Sequence, residues 1–295
     1  MKILALHGFG SSAAMLRKQL VAVIADLGPN YEFTFLDGAF TCERGPGMPK
    51  WSPGPFYSYM NGYTPTEMQE ALDDLDEFIM DYGPFDGVVG FSQGASLAAS
   101  YILMQQRQYP TQAPPFGFAL FFSPVVAFSP DNTDCQQLIQ DLLATAPISF
   151  RKSFPHADFV ALGHPDYRPW AEYLSQSILA LDNIGSRSDA VDHSFLARED
   201  TACDAVPRPL HPRYIEDRIA IPTIHVTGKR DYPVLLDQAQ KLHNMCEERL
   251  TRVYRHSGGH EIPTKVLEVK AIVKAIEWAV EEGKKAKALR GISRV

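Results

Sequence analysis

At residues 86–95 the chain reads DGVVGFSQGA, a short apolar segment that runs into a G-x-S-x-G pattern and then into small residues. Val88 and Val89 are β-branched and follow a turn-like segment, which is typical of a short buried strand. Residues 93–106 then read as a helix. A strand, a sharp turn and a helix in this order expose a serine hydroxyl to a base on one side and to a substrate carbonyl on the other. Ser92 is therefore the candidate nucleophile.

Strand and helix patterns alternate on both sides of this stretch. Strands are predicted over residues 3–6, 31–36, 88–89, 116–122, 222–227 and 252–255. Helices are predicted over residues 13–27, 66–82, 93–106, 234–246 and 264–282. This alternation predicts an α/β fold with a mostly parallel, doubly wound sheet and helices on both faces.

The segment 124–218 is far longer than a strand-to-helix connection and interrupts this alternation. It contains two helical patterns, over 135–144 and 170–181, between proline-rich joints. We interpret it as an inserted cap over the carboxyl edge of the sheet. The predicted core then consists of residues 1–123 and 219–295.

A second interruption, residues 37–65, is rich in glycine, proline and aromatic side chains. Long connections of this kind are usually functional or disordered, and the many aromatics favour an ordered, apolar-lined loop. Its candidate substrate-binding residues are Trp51, Phe56, Tyr57 and Tyr59.

A nucleophilic serine needs a base and an acid that orients the base, and in a doubly wound sheet these stand at the carboxyl ends of strands. Asp231 follows the strand at 222–227, and His260 lies on a glycine-rich loop after the next strand. The chain order Ser, Asp, His is that of α/β-hydrolases. Asp231 could instead be an ordinary turn residue, and His260 a loop histidine that binds nothing. The weighed alternatives are, for the acid, Asp217 and Asp237 and, for the base, His7, His225, His243 and His256.

The oxyanion of an acyl-transfer intermediate needs two backbone donors. The chain reads HGFG directly after the first strand, at residues 7–10. The backbone N–H groups of Phe9 and Gln93 are the predicted pair, and His7 is then a structural residue.

Composition excludes several classes of function. The net charge is −7 with dispersed charges, so no nucleic-acid partner is expected, and no apolar run reaches membrane-spanning length. The four cysteines are far apart and are interpreted as reduced thiols, which with the absence of a signal-peptide pattern favours a cytoplasmic protein. No metal or nucleotide motif occurs, so no cofactor is predicted. The oligomeric state is left open.

These residues resemble the FSH1 serine hydrolases of the α/β-hydrolase superfamily. The likeness rests on ILALHGFG at 3–10 with RKQL at 17–20, on FDG and GFSQGA at 85–95, and on GGH at 258–260 with Pro263. It covers nearly the whole chain except 124–218, which looks expanded relative to the compact family pattern. The resemblance implies a small α/β hydrolase whose triad is Ser92, Asp231 and His260.

The resemblance also implies a substrate class. Similar fungal enzymes are stand-alone thioesterases that release a polyketide from an acyl carrier protein, and some close a lactone instead of admitting water. The expected function is therefore release of an acyl chain from a thioester in secondary metabolism. The alternatives are a carboxylesterase acting on free small esters and a non-catalytic protein that binds a hydrophobic ligand. The basic stretch at residues 284–290 is either a docking site for an acidic carrier protein or a solvated helix end.

Overall fold

The computed structural model describes residues 1–45, 48, 51–163, 167–183, 193–198 and 201–292. The strands are β1 (Lys2–Leu6), β2 (Glu32–Leu36), β3 (Phe40–Thr41), β4 (Tyr57–Ser58), β5 (Gly87–Phe91), β6 (Ala119–Phe122), β7 (Thr223–Gly228) and β8 (Thr251–His256). Six of them form one sheet in the order β2-β1-β5-β6-β7-β8, and all neighbouring pairs are parallel. β3 and β4 pair antiparallel within the aromatic-rich loop.

The helices are α1 (Ala13–Gln19), α2 (Val21–Leu27), α3 (Pro65–Tyr82), α4 (Gln93–Gln108), α5 (Gln136–Thr145), α6 (Ile148–Ser153), α7 (Tyr167–Asn183), α8 (Pro233–Asn244) and α9 (Val266–Ile292). Short 3₁₀ turns lie at Phe159–Ala161, His193–Leu196, Cys203–Ala205 and Glu248–Leu250. No helix in these described ranges is long and apolar enough to cross a membrane.

Each face of the sheet carries its own apolar core, because successive strand side chains point to opposite faces. Leu4 and Val88 pack in one buried cluster with side chains of α3, α4 and α8. Ile3 and Val89 pack in a second cluster with side chains of α1, α2 and α9. Helices therefore cover both faces, as the sequence predicts.

The strand order fixes where a site can form. From β1 the chain moves outward to β2 and then returns to β5 on the other side of β1. Helices leave the two strands on opposite faces, which opens a crevice at their carboxyl ends. The residues after Leu6 and after Phe91 border this crevice.

Three predicted elements differ from the observed ones. The single helix expected over 13–27 is two helices that meet at Leu20, whose ψ of −2° departs from helical values. The strand expected over 116–122 is only β6. The last helix continues beyond residue 282 to Ile292, and Gly283 within it passes close to a neighbouring backbone, where a Cβ would lie 2.5 Å from the Gly117 oxygen.

The segment 124–218 leaves the sheet after β6 and returns to it before β7. Its two ends run side by side, since Ser129 N donates to Arg208 O and Leu210 N donates to Ala127 O, both at 2.8 Å. Between them α5 and α7, which correspond to the predicted helical pieces, pack around the fully buried Trp170 in a separate apolar cluster. The segment thus has a core of its own, and its role as a cap over the site stays a prediction.

Candidate active site

Ser92 occupies the turn between β5 and α4. Its backbone has φ 52° and ψ −115°, a conformation that non-glycine residues rarely adopt, and Ser92 N donates to Phe122 O at 2.9 Å. Positive φ turns the chain sharply from strand to helix. The serine side chain is consequently held at the crevice, at the N-terminus of a helix.

The glycines on either side of Ser92 make this turn sterically feasible. A Cβ on Gly90 would lie 2.5 Å from the Ala95 nitrogen, and a Cβ on Gly94 would lie 2.6 Å from the His7 oxygen. Real Cβ atoms do not approach backbone atoms so closely. The G-x-S-x-G pattern is therefore required by the close approach of α4 to β5 and to the end of β1.

The structure brings Ser92, Asp231 and His260 into one hydrogen-bonded line. His260 Nε2 lies 3.1 Å from Ser92 Oγ, and His260 Nδ1 lies 2.9 Å from Asp231 Oδ2 and 3.2 Å from Oδ1. Asp231 is 6% exposed and its Oδ1 also accepts from Tyr232 N at 2.8 Å. Since an ionised carboxylate only accepts, Nδ1 carries the proton and Nε2 faces the serine as an acceptor. This is the arrangement that activates a hydroxyl nucleophile.

The loop that carries His260 is fixed by backbone contacts with the loop that carries Asp231. Arg230 N donates to Gly258 O at 2.9 Å, and a Cβ on Gly228 would lie 2.5 Å from that same oxygen. Phe91 packs on the imidazole with ring centroids 5.2 Å apart. The loops that follow β7 and β8 therefore fix the position of Asp231 relative to His260.

The two predicted oxyanion donors flank the serine. Gly8 packs directly on it, because a Cβ on Gly8 would lie 3.3 Å from Ser92 Cβ. Phe9 follows on the same loop, and Gln93 is the first residue of α4. Among the described residues, neither backbone N–H has a protein acceptor, as expected for Gln93 at a helix N-terminus. Their role as oxyanion donors stays a prediction.

The four predicted substrate-binding aromatics differ widely in environment. Trp51 is 82% exposed, whereas Tyr59 is 5% exposed. The Tyr59 hydroxyl accepts from His7 N at 2.8 Å and donates to Leu36 O at 2.9 Å. Phe56 and Tyr57 are half-buried, and the Tyr57 backbone pairs with that of Ser11. Contact of these side chains with a substrate stays a prediction, and the buried hydroxyl of Tyr59 is already engaged by backbone groups.

Two side-chain contacts that the sequence did not suggest join the aromatic-rich loop to α4. Gln93 Nε2 donates to Ser58 Oγ at 2.9 Å, and Gln93 Oε1 accepts from Tyr59 N at 3.2 Å. The sequence predicts a role only for the backbone N–H of Gln93. The one available signal was a glutamine next to the nucleophile, where a long amide side chain is free to reach another loop.

The alternative bases lie in other environments. His225 is inside β7, with Nε2 3.4 Å from Cys246 Sγ, and burial lowers its pKa to about 3. His256 is buried on β8 and its Nδ1 accepts from Gly258 N at 3.1 Å. His7 is buried as well, and His243 lies within α8. Only His260 is in hydrogen-bonding contact with Ser92 in the described part of the chain.

The alternative acids are also placed elsewhere. Asp217 pairs with Arg107 at 2.8 Å and is half exposed. Asp237 lies on α8, where it forms a surface ion pair with Lys241. Within the described residues neither carboxylate contacts His260, whereas both oxygens of Asp231 do.

Burial of His225 predicts a measurable pH dependence of stability. A histidine in the unfolded chain takes up a proton near pH 6.5, whereas folded His225 stays neutral down to about 3 because burial, and then His243, lower its pKa. The unfolded state thus binds more protons as the pH falls, and stability is lost below pH 6.5. Between pH 7.5 and 5.0 we expect the wild type to lose about 2 kcal/mol more unfolding free energy than His225→Phe. Urea titrations at both pH values measure this, and equal losses in the two proteins would contradict it.

No group of three or more His, Cys, Asp or Glu side chains in the described ranges is arranged to hold a metal ion. The cysteines, Cys42, Cys135, Cys203 and Cys246, are unpaired thiols in the structure. The chemistry described above uses only side chains and backbone groups of the chain itself.

The basic stretch at 284–290 lies away from this site. Lys284 pairs with Glu281 at 2.8 Å and Lys285 with Glu282 at 2.7 Å, which is typical of a solvated helix. Nearby Gly283 packs against Gly117, two residues before β6, at the amino edge of the sheet. Ser92 is at the carboxyl edge, and a five-residue strand separates the edges by about 17 Å. Docking of a carrier protein at this stretch stays a prediction.

The sequence matches the family model "Serine hydrolase (FSH1)" over residues 1–272. It is similar to esterase alnB of Emericella nidulans, at 37% identity over 96% of this chain and 98% of that protein. It is also similar to hydrolase FUB4 of Fusarium oxysporum f. sp. lycopersici, at 30% identity over 89% of this chain and 92% of that protein. Serine hydrolase cnsH of Penicillium expansum is similar at 30% identity over 80% of this chain and 94% of that protein. A solved structure of esterase PE8 is similar at 15% identity over 94% of this chain and 92% of that chain, with a TM-score of 0.48.

The family match covers β1 and the loop after it, the serine turn, and the strands that carry Asp231 and His260. The relatives that are named for an activity are hydrolases and esterases. This agrees with a doubly wound parallel sheet that holds a serine, a histidine and an aspartate in line at its carboxyl edge. The chain belongs to the FSH1 serine hydrolases, a family of the α/β-hydrolase fold.

Proposed function

We propose that this serine hydrolase forms an acyl-serine at Ser92 and releases an acyl chain from a thioester, by hydrolysis or by intramolecular lactonisation, in secondary metabolism. The observation that carries the acyl-serine step is the 3.1 Å contact between Ser92 Oγ and His260 Nε2, with Asp231 on the opposite ring nitrogen. The preference for a polyketide thioester rests on the family resemblance of the sequence.

In the first half-reaction, His260 Nε2 accepts the Ser92 proton as Oγ attacks the thioester carbonyl carbon. The negative charge moves to the carbonyl oxygen, which the Phe9 and Gln93 N–H groups stabilise. The C–S bond then breaks, and the imidazolium returns its proton to the leaving thiolate. Asp231 stabilises the imidazolium and holds its tautomer throughout.

The second half-reaction repeats the same steps with an oxygen nucleophile. Water, or a hydroxyl group of the bound acyl chain, loses its proton to His260 while its oxygen attacks the acyl-serine. Collapse of the second intermediate returns the proton to Ser92 Oγ. Water gives the free acid, and the internal hydroxyl gives a lactone. A protein segment that excludes water and folds the bound acyl chain favours the lactone, because it brings the internal hydroxyl close to the acyl-serine carbonyl. Segment 124–218 is the candidate for that role.

A carboxylesterase acting on free small esters is the second candidate. It needs the same three side chains and no carrier protein. The name esterase carried by alnB, the relative at 37% identity, favours it specifically. The nature of the leaving group is therefore what separates the two proposals.

The test compares the two leaving groups on one acyl chain. Wild type and Ser92→Ala are incubated with an N-acetylcysteamine thioester that bears a terminal hydroxyl and with the matching ethyl ester. Intact-protein mass spectrometry follows the adduct, and chromatography follows free acid and lactone. We expect a wild-type adduct heavier by the acyl group, and a kcat/KM for the thioester at least about tenfold above that for the ester, equivalent to about 1.4 kcal/mol.

The outcomes separate the candidate functions. Faster turnover of the ester assigns the carboxylesterase function. A lactone without free acid shows that the internal hydroxyl is the acceptor. If neither substrate gives an adduct or a product that depends on Ser92, the acyl-serine proposal fails, and the non-catalytic ligand-binding alternative gains support.

A further inference from the structure

The two-residue segment Ser58–Tyr59 of the aromatic-rich loop contacts both halves of the predicted oxyanion hole, through the Tyr59 backbone N–H and the hydroxyl groups of both residues. On one side it meets the side chain of Gln93, at the start of α4. On the other side the Tyr59 hydroxyl meets the backbone of His7, at the end of β1. The two oxyanion amides belong to different elements, and this segment is a direct link between them.

The contact with α4 is a closed hydrogen-bond pattern. Ser58 Oγ donates to Met60 O at 2.7 Å, and this leaves its lone pairs to accept from Gln93 Nε2 at 2.9 Å. Gln93 Oε1 accepts from Tyr59 N at 3.2 Å. The carboxamide of Gln93 is thus bound at both ends, which fixes the residue whose backbone N–H faces the oxyanion.

The contact with β1 acts through His7. Gly38 N donates to His7 Nε2 at 3.1 Å, so the proton of the neutral ring is on Nδ1. Burial lowers the pKa of His7, which favours this neutral form. His7 Nδ1 therefore donates to Gly8 O at 2.7 Å. Gly38 is held against the Ser58–Tyr59 peptide, since a Cβ on Gly38 would lie 2.8 Å from Tyr59 N.

Gly8 O and Phe9 N belong to the same peptide group. A trans peptide is planar, and its C=O and N–H point in opposite directions. Anchoring the Gly8 carbonyl therefore sets the direction of the Phe9 N–H. The Tyr59 hydroxyl holds His7 itself, because it accepts from His7 N in the Leu6–His7 peptide while it donates to Leu36 O.

We propose that the Tyr59 hydroxyl and the Gln93 carboxamide are positioning groups that hold the Phe9 and Gln93 amides at a fixed separation, so that both point at the oxyanion. This proposal rests on the acyl-serine mechanism above and assigns a role to the aromatic-rich loop in it. The loop acts on the transition state through backbone donors. Fixed donors stabilise a developing oxyanion without reorganisation, and a shift of about 1 Å can cost about 100-fold in rate.

The test uses Tyr59→Phe, which removes one hydroxyl and keeps the ring. The matched control is Tyr101→Phe, which removes the hydroxyl of another buried tyrosine. The partner of that hydroxyl is Asp76 on α3, a helix that carries neither predicted oxyanion donor. We expect Tyr59→Phe to lower kcat about 10- to 100-fold with KM changed less than about threefold. Tyr101→Phe should leave both constants at wild-type values.

Inhibitor binding separates positioning from a general structural effect. An alkylboronic acid forms a tetrahedral anion on Ser92, whereas the carboxylic acid product binds without one. In Tyr59→Phe the boronate should lose affinity by the same factor as kcat/KM, and the affinity for the product should not change. Gln93→Met should show the same pattern, and the double variant should lose less than the product of the two single losses, because both contacts meet at Tyr59.

Several results would overturn this inference. Equal kcat/KM in Tyr59→Phe and Tyr101→Phe rejects it, and so does an equal loss of boronate and product affinity, which would instead assign Tyr59 to substrate contact. If Tyr59→Phe does not fold, Ser58→Ala replaces it, with the same expected and opposing results. The assays need only turnover that depends on Ser92, so a preference for ester over thioester leaves them valid. If the wild type has no such turnover, the proposed function fails first.

Discussion

Ser92→Ala is expected to lower kcat by about 10⁵- to 10⁶-fold while leaving the fold intact. The variant keeps the two predicted oxyanion amides and the paired His260 and Asp231, but no oxygen remains to attack the acyl carbon. Stopped assays on the ester or thioester measure the rate, and a fluorophosphonate probe reports on the nucleophile. Labelling of the variant at the wild-type rate would show that another side chain is the nucleophile.

A second substitution at this position tests the strain in the turn. Ser92 has φ 52°, and strained backbone of this kind costs about 1–3 kcal/mol. Alanine keeps the Cβ and with it the strain, whereas glycine relieves the strain. Glycine also raises the conformational entropy of the unfolded chain, but this costs less free energy than the strain that is relieved. We expect Ser92→Gly to be as inactive as Ser92→Ala and about 1 kcal/mol more stable in urea unfolding. A glycine variant less stable than the alanine variant would mean that the turn stores no such strain.

The sequence predicts that the three triad candidates lie close together because each of them follows a strand. Parallel strands end at one edge of a sheet, so an aspartate just beyond β7 and a histidine just beyond β8 must lie near a serine just beyond β5. The hydrophobic runs that mark these strands are local and easily recognised. The structure accordingly brings Ser92, Asp231 and His260 within hydrogen-bonding distance.

The sequence does not predict the environment of the aromatic-rich loop. Composition alone treats Trp51 and Tyr59 alike, yet one is exposed and the other is buried beneath β1. The difference arises from contacts between residues 34 and 52 positions apart in the chain, Tyr59 with Gln93 and with His7. Long-range pairing of this kind leaves no periodic pattern.

Asp231→Asn is expected to lower kcat by about 10⁴-fold through the tautomer of His260. Asp231 Oδ1 accepts from Tyr232 N at 2.8 Å. In the variant, the Tyr232 N–H still needs an acceptor, so the oxygen of the asparagine side chain takes the Oδ1 position. The amide nitrogen then takes the Oδ2 position, 2.9 Å from His260 Nδ1, and donates to it. The imidazole proton moves to Nε2, which faces Ser92 Oγ at 3.1 Å and can no longer accept the serine proton.

The matched control is Asp217→Asn, which makes the same chemical change at one of the two alternative candidates for the orienting acid. Asp217 is half exposed and pairs with Arg107, so its loss should change unfolding free energy by at most about 1 kcal/mol and leave kcat unchanged. Turnover of a single ester and the rate of fluorophosphonate labelling are measured for both variants. An Asp231→Asn variant within tenfold of wild type, or an inactive and folded Asp217→Asn variant, would place the orienting acid elsewhere. A loss of turnover that is confined to Asp231→Asn, with unchanged stability in urea, would show that this carboxylate acts by fixing which nitrogen of His260 carries the proton.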